Sequence, residues 1–191
     1  MIFFISNMDP ILLDIPEVIE SERLVLRCPR AGDGRVMFES AEASRAELNP
    51  WMAWSAKQTL DDAELFARRS HAEFILRESL PYLIFRREDG AHVGNTGLHF
   101  IDWDVPCFEI GYWCCTTMTG KGYITEATTA LERLAFDTLH AKRVEIRVDD
   151  RNEKSWRIPE RLGYTLEGVL RNDALGAAGE VRNTRIYAKV R

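Results

Sequence analysis

Two glycines separated by one residue, Gly120 and Gly122, stand between a strand-like run and a long helical pattern. The run Cys107-Phe108-Glu109-Ile110-Gly111-Tyr112-Trp113 has the aromatic and apolar content of a strand. From Ile124 to Leu139, apolar or small residues recur at Ile124, Ala127, Leu131, Leu134 and Ala135. That 3.6-residue period predicts a helix with one buried stripe. A strand, a Gly-rich turn and a helix start together form an anion site. The first helical N–H groups have no partner within the helix, and the helix dipole adds to their attraction. The same glycines also suit a chain that needs only a tight turn.

The chain of 191 residues suits one domain with appendages. Its formal net charge of -5 argues against a general nucleic-acid binder, which needs concentrated Lys and Arg. A phosphorylated small molecule remains open, because it needs only a local site. Cys28, Cys107, Cys114 and Cys115 lack zinc-knuckle spacing, so no metal site is expected. Reduced thiols in a cytoplasmic protein are the simpler reading. The first residues are apolar but few and have no basic leader, and no apolar run reaches membrane-spanning length. Residues 1–20 are read as an arm packing on the domain or on a partner subunit. Residues 21–191 form the domain.

Along the chain, residues 24–28 read as a strand. Asp33 is placed to cap a helix through Val36, Met37 and Phe38. Trp51 and Trp54 follow a turn signal; core packing is the first expectation for them and a pocket wall the second. Thr59 and Asp62 form a capping-box analogue for a helix reaching about Arg77. Strands at 82–85 and 92–100 flank the hairpin signal Asp89-Gly90. The glycines of the return strand suggest a bulge or a close backbone approach. After the central helix come an alternating strand at 143–148, a short helix at 153–162 stopped by Gly163, and strands at 164–170 and 184–190. Pro159 lies inside the short helix, where it removes a donor and crowds the preceding turn. The order is that of a mixed α/β domain with antiparallel hairpins.

That order, together with several local motifs, resembles the GCN5-related N-acetyltransferase superfamily, in its ribosomal-protein-alanine acetyltransferase (RimJ/RimL) branch. The matching pieces run from Ser21-Glu22-Arg23-Leu24 and Asn49-Pro50-Trp51, through Glu109-Ile110-Gly111-Tyr112-Trp113 and Gly120-Lys121-Gly122-Tyr123. They end with Asn152-Glu153-Lys154-Ser155, Glu160-Arg161-Leu162-Gly163-Tyr164 and the strand of Tyr187. The resemblance implies a single mixed, mostly antiparallel twisted sheet flanked by helices, its central strands splayed into a cofactor cleft. It implies direct acetyl transfer from acetyl-CoA to a primary amine, on a protein N-terminus or a small molecule. It also implies a possible homodimer, with no nucleic-acid or membrane partner.

By the same resemblance, the pyrophosphate of coenzyme A would lie on the amides of Met118, Thr119, Gly120, Lys121, Gly122 and Tyr123, with Ile124 following. The pantetheine arm would run beside Tyr112, Trp113 and Cys114, where a backbone N–H would polarise the acetyl carbonyl. Asn152, Lys154, Ser155 and Arg157 complete the expected cofactor set. Glu109 stands out in an apolar strand and is the first candidate base, with Asp173 the second. Ser155 is the candidate proton donor to the leaving thiolate. The chain departs from the family pattern at Thr119, where Arg or Gln is usual, and at Ile124, where Gly or Ala is usual. These two residues and Pro159 support the alternatives: a non-catalytic acetyl-CoA-binding module, or an acyltransferase using another acyl group or a hydroxyl acceptor.

Overall fold

The computed structural model describes residues 9–191. Eight strands form one sheet: β1 (Val18–Glu20), β2 (Leu24–Arg27), β3 (Leu80–Arg86), β4 (His92–Asp102), β5 (Cys107–Cys114), β6 (Arg143–Asp149), β7 (Thr165–Leu175) and β8 (Val181–Val190). Their spatial order is β1-β2-β3-β4-β5-β6-β8-β7. Every pairing is antiparallel except β5 with β6. The parallel pair needs a crossover, which α4 (Tyr123–Arg133) and a π turn at Leu134–Thr138 provide. The pattern predicted one helix from 124 to 139; its last turn widens instead, and Leu134, Ala135 and Phe136 remain buried.

The other helices are α1 (Gly34–Ala43), the single turn α2 (Arg45–Leu48), α3 (Leu60–Leu76) and α5 (Glu153–Arg161). Thr59 and Asp62 form the expected capping box on α3. The expected cap at Asp33 does not form. Its carboxylate is held by Arg27, with contacts of 2.6 and 2.7 Å, and by the Arg30 amide. Glu64 of α3 takes over, accepting from the N–H groups of Gly32 and Gly34 at 2.9 and 3.0 Å. Gly34 is needed because a Cβ there would lie 2.4 Å from the Glu64 Cα.

One large core fills the α4 face of the sheet. Leu24, Leu26, Ile84, Leu98, Phe108, Ile110, Val144 and Ile146 meet Ala127, Leu131 and Ala135 there, all almost fully buried. On the opposite face Leu83 packs with Met37, Ala63 and Ala67 under α1 and α3. The described part of the arm joins the domain. Ile15 is buried, β1 extends the sheet, and the Pro16 carbonyl accepts from the Tyr82 hydroxyl at 2.7 Å. The remainder of the arm lies outside the described residues.

β5 and β6 pair only over Cys107–Glu109, although each strand continues for several residues beyond. The sheet therefore opens from Ile110 onward. β7 is longer than its alternation suggested. It runs to Leu175, with register shifts between Leu166 and Gly168 and between Leu170 and Ala174. Asp173, expected on a loop, is on this strand; the polar run Arg171-Asn172-Asp173 hides the strand because it falls at the bulge.

Candidate active site

The turn after β5 begins with a 3-10 turn at Thr116–Met118. Gly120 and Gly122 have φ of 75° and 79°. No atom crowds a Cβ at Gly120, so the requirement for glycine there is conformational. Gly122 is the N-cap of α4 and offers no side chain, which leaves the first amides of the helix uncapped. Arg23 of the segment entering β2 holds this turn from outside. Its guanidinium donates to the Lys121 carbonyl at 3.0 Å and to Glu126 at 2.7 Å, and it lies over the Tyr123 ring. Ser21 adds a 2.7 Å bond to the same carboxylate. Sequence reasoning did not assign roles to Arg23 and Glu126, which are 103 residues apart.

The two departures from the family pattern are absorbed locally. The Thr119 hydroxyl closes the turn on the Thr116 carbonyl at 2.8 Å. Ile124 points into the core. Lys121 and Lys154 are exposed. Arg157 is also exposed, but Glu153 engages it.

On β5, backbone direction and side-chain direction separate two functions. The Cys115 N–H donates to the Val93 carbonyl at 2.7 Å, and the Trp113 carbonyl is crowded against Gly94 on the same side. Backbone groups alternate along a strand, so Tyr112 and Cys114 turn theirs away from β4, toward the edge that β6 has left. The Trp113 side chain lies on the α1–α3 face, edge-on to Trp54 at 5.9 Å and to His92 at 5.7 Å. Burial pushes the Cys114 thiol up to about 12, so it is protonated and makes a poor nucleophile.

Glu109 sits at the root of the opening. Burial raises its carboxyl to about 7; Arg147 opposes the rise and Glu145 adds to it. Such a group exchanges its proton near neutral pH, as a general base must. Across the ladder, Glu109 pairs with His99 of β4. The imidazole covers Gly97 and Gly111, where a Cβ would come within 2.9 and 3.2 Å of the ring. The predicted close approach in the return strand is thus made by a side chain at Gly97 and by backbone at Gly94. Burial lowers the His99 pKa, against a weaker opposing pull from Glu73, so the ring is neutral. Asp173 faces Arg147 at 3.9 Å and does not line the opening.

Asn152 caps α5, its side chain accepting from the Ser155 amide at 3.2 Å. The Tyr112 hydroxyl donates to the Ser155 carbonyl at 3.0 Å, and the Ser155 Oγ stands 3.4 Å from that phenol oxygen. Burial raises the Tyr112 phenol above its ordinary pKa. Tyr164 packs in the core.

Two cavities meet at this point. One, of about 310 Å³, lies between the parted strands and is lined by Glu109, Gly111, Tyr112, Ile146, Asn152 and Ser155. The other, of about 600 Å³, is mostly apolar, with Met37, Phe66, Trp54 and Trp113 in its wall and Lys57, Asp62, Asn95 and His99 among its polar points. They share Met52, Ala53, Gly111 and Tyr112. Trp51 lines the first and Trp54 the second. At 37% and 41% exposure they are pocket walls, and the first expectation of core packing is corrected. Their segment carries no periodicity that would have distinguished the two roles.

The sequence profile of the acetyltransferase (GNAT) domain matches residues 23–165. YdaF of Bacillus subtilis (strain 168), provisionally named a ribosomal N-acetyltransferase, is 42% identical over 80% of this chain and 83% of its own. Among solved structures, the microcin C7 self-immunity acetyltransferase MccE, in complex with acetyl-CoA and AMP, superposes with a TM-score of 0.86 at 26% identity. The match covers 92% of this chain and 97% of MccE. RimL, a ribosomal L7/L12 alpha-N-protein acetyltransferase solved with coenzyme A, has the same fold, with a TM-score of 0.83 at 20% identity over 91% of this chain and 98% of its own.

Proposed function

The chain belongs to the GNAT acetyltransferase family and is an acetyl-CoA-dependent N-acetyltransferase, and we propose that it acetylates an N-terminal or other primary amine flanked by an apolar group. One observation supports this reading above the others. Glu109, with its carboxyl raised to about 7, lines the cleft between the parted strands, two residues before Gly111, where that cleft meets the large apolar cavity.

In this mechanism the uncapped amides after Gly122 and the preceding turn hold the phosphates of acetyl-CoA. The free edge of β5 at Tyr112 and Cys114 binds the pantetheine arm, and one of its N–H groups polarises the thioester carbonyl. The acceptor enters from the α1–α3 face. Glu109 takes a proton from the ammonium, directly or through water, and frees the lone pair for attack. As the tetrahedral intermediate collapses, the carbon–sulfur bond breaks, the nitrogen gives up its second proton, and the Ser155 hydroxyl passes a proton to the thiolate and takes that one in return. Arg157 and Lys154, exposed on α5, add positive charge on that side of the cofactor.

The acceptor class follows from the cavity wall. Asp62, the carboxylate beside the large cavity, is committed to the Thr59 amide and hydroxyl. Asp149, in the smaller one, is held by Arg151. Among the described residues lining the two cavities, a polycationic acceptor would find no free carboxylate but Glu109, whereas an aliphatic or aromatic side chain would cover exposed tryptophan. The ribosomal naming of YdaF agrees with a protein N-terminus.

The test is thiol release from acetyl-CoA with a panel of short peptides and small amines. Peptides with a bulky apolar residue in the first two positions should give kcat/KM at least tenfold above polyamines and aminoglycosides. A preference for the cationic amines would overturn the acceptor assignment. Failure to bind acetyl-CoA would overturn the mechanism.

A further inference from the structure

We propose that Pro159 is a positioning residue for the thioester site, acting by withholding one helical donor; the inference rests on the acetyl-transfer mechanism above. In an α-helix the N–H of residue 159 would donate to the carbonyl of residue 155. Pro159 has no N–H and lies inside α5, so the Ser155 carbonyl keeps a free acceptor direction. The Tyr112 hydroxyl takes it at 3.0 Å. That bond ties β5 to α5 beside the gap where β5 leaves β6.

Two unfavourable features cancel here. Proline is the worst residue for a helix interior, because it orphans the carbonyl one turn back. A buried phenol without a partner is likewise costly. In this chain the orphaned carbonyl and the phenol satisfy each other. Ser155 is then held at its amide by Asn152 and at its carbonyl by Tyr112, with its Oγ 3.4 Å from the phenol oxygen. The serine proposed as proton donor is thereby fixed on both sides. Pro159 is buried and lines neither cavity, so it touches no reacting group and acts through these two residues.

The experiment uses the full chain with Pro159→Ala and, to keep an apolar side chain in the buried position, Pro159→Leu. Each restores an N–H that competes with Tyr112 for the Ser155 carbonyl. Acetyl transfer should lose about fivefold to tenfold in kcat, the value of one displaced hydrogen bond. The Kd for acetyl-CoA should move less than twofold, and Tm should not fall. In a Tyr112→Phe background the Pro159 substitutions should cost no further activity. Independently of turnover, the fluorine resonance of 3-fluorotyrosine at position 112 should shift when Pro159 is replaced. The proposal is overturned by equal losses in both backgrounds, an unchanged kcat, an unmoved resonance, or a lowered Tm with both substitutions. A wild-type chain that acetylates no amine would instead overturn the mechanism, while the resonance still reports on the contact.

Discussion

The turn at residues 115–122 and the aromatic cavity behind Trp54 meet on one strand, yet they are made of different material. The turn works with backbone: two left-handed glycines, a helix start without a cap, and an unpaired strand edge. The cavity works with side chains from distant segments, including Met37, Trp54, Phe66, His99 and Trp113. Backbone geometry can hold a constant ligand while the side chains around it vary. A wall of side chains can change its selectivity without altering the sheet. Cofactor and acceptor requirements are thereby separated; Gly111 and Tyr112 border both cavities, and Glu109 lines the cleft beside them.

The largest expected effect falls beside that boundary. Glu109→Gln should lower kcat by about a hundredfold or more, as loss of a general base does. It should also remove the rise of kcat/KM through pH 7 that a carboxyl titrating near there imposes. Acetyl-CoA affinity, measured by calorimetry, should hardly change. A variant that kept its rate and its pH profile would take the base role away from Glu109.

Substitutions on either side should then separate cleanly. Trp54→Ala should raise KM for an apolar acceptor about tenfold, the value of a few tens of Å² of lost contact, and leave the Kd for acetyl-CoA alone. Gly122→Ala should do the reverse. It forces a side chain into φ of 79°, a strain of about 1 kcal/mol, and should weaken acetyl-CoA about fivefold with little change in acceptor KM. If Trp54→Ala weakened acetyl-CoA as much as Gly122→Ala does, the division of labour between backbone and side chains would fail.

The same contrast sets what could be read from the sequence. The turn is contiguous, so its strand, glycines and helix lie in one window, and the capping box at Thr59 is equally local. The cavity is not contiguous. Trp51 and Trp54 lie in a segment without period, and nothing local says that β5 presents Trp113 to Trp54. Arg23 and Glu126 lie 103 residues apart, and nothing local pairs them; only the fold brings them together. The misplaced cap at Asp33 has a similar cause, because Arg27 and Glu64 compete from other elements. Pro159 was legible as an anomaly, but its partner on β5 was not.

The smallest effect tests Glu109 without any catalysis. Its folded carboxyl titrates near 7, against an ordinary value of 4.5. Below pH 4.5 both folded and unfolded chains hold the proton, and the group costs nothing. Between 4.5 and 7 the unfolded chain has released it while the folded chain retains it, so stability declines with rising pH and levels off above 7. The full shift would correspond to about 3 kcal/mol. The carboxyl borders an open cleft and is screened by solvent, which reduces this to about 1 kcal/mol. Glu109→Gln has no such decline. Its Tm should match that of the parent at pH 4 and exceed it by about 2 to 4 °C at pH 8. A parent that gained stability relative to the variant across this range would mean that Glu109 is held ionised, as a structural ion pair with Arg147 would hold it. The cleft beside the boundary between the two halves of the site would then carry no base.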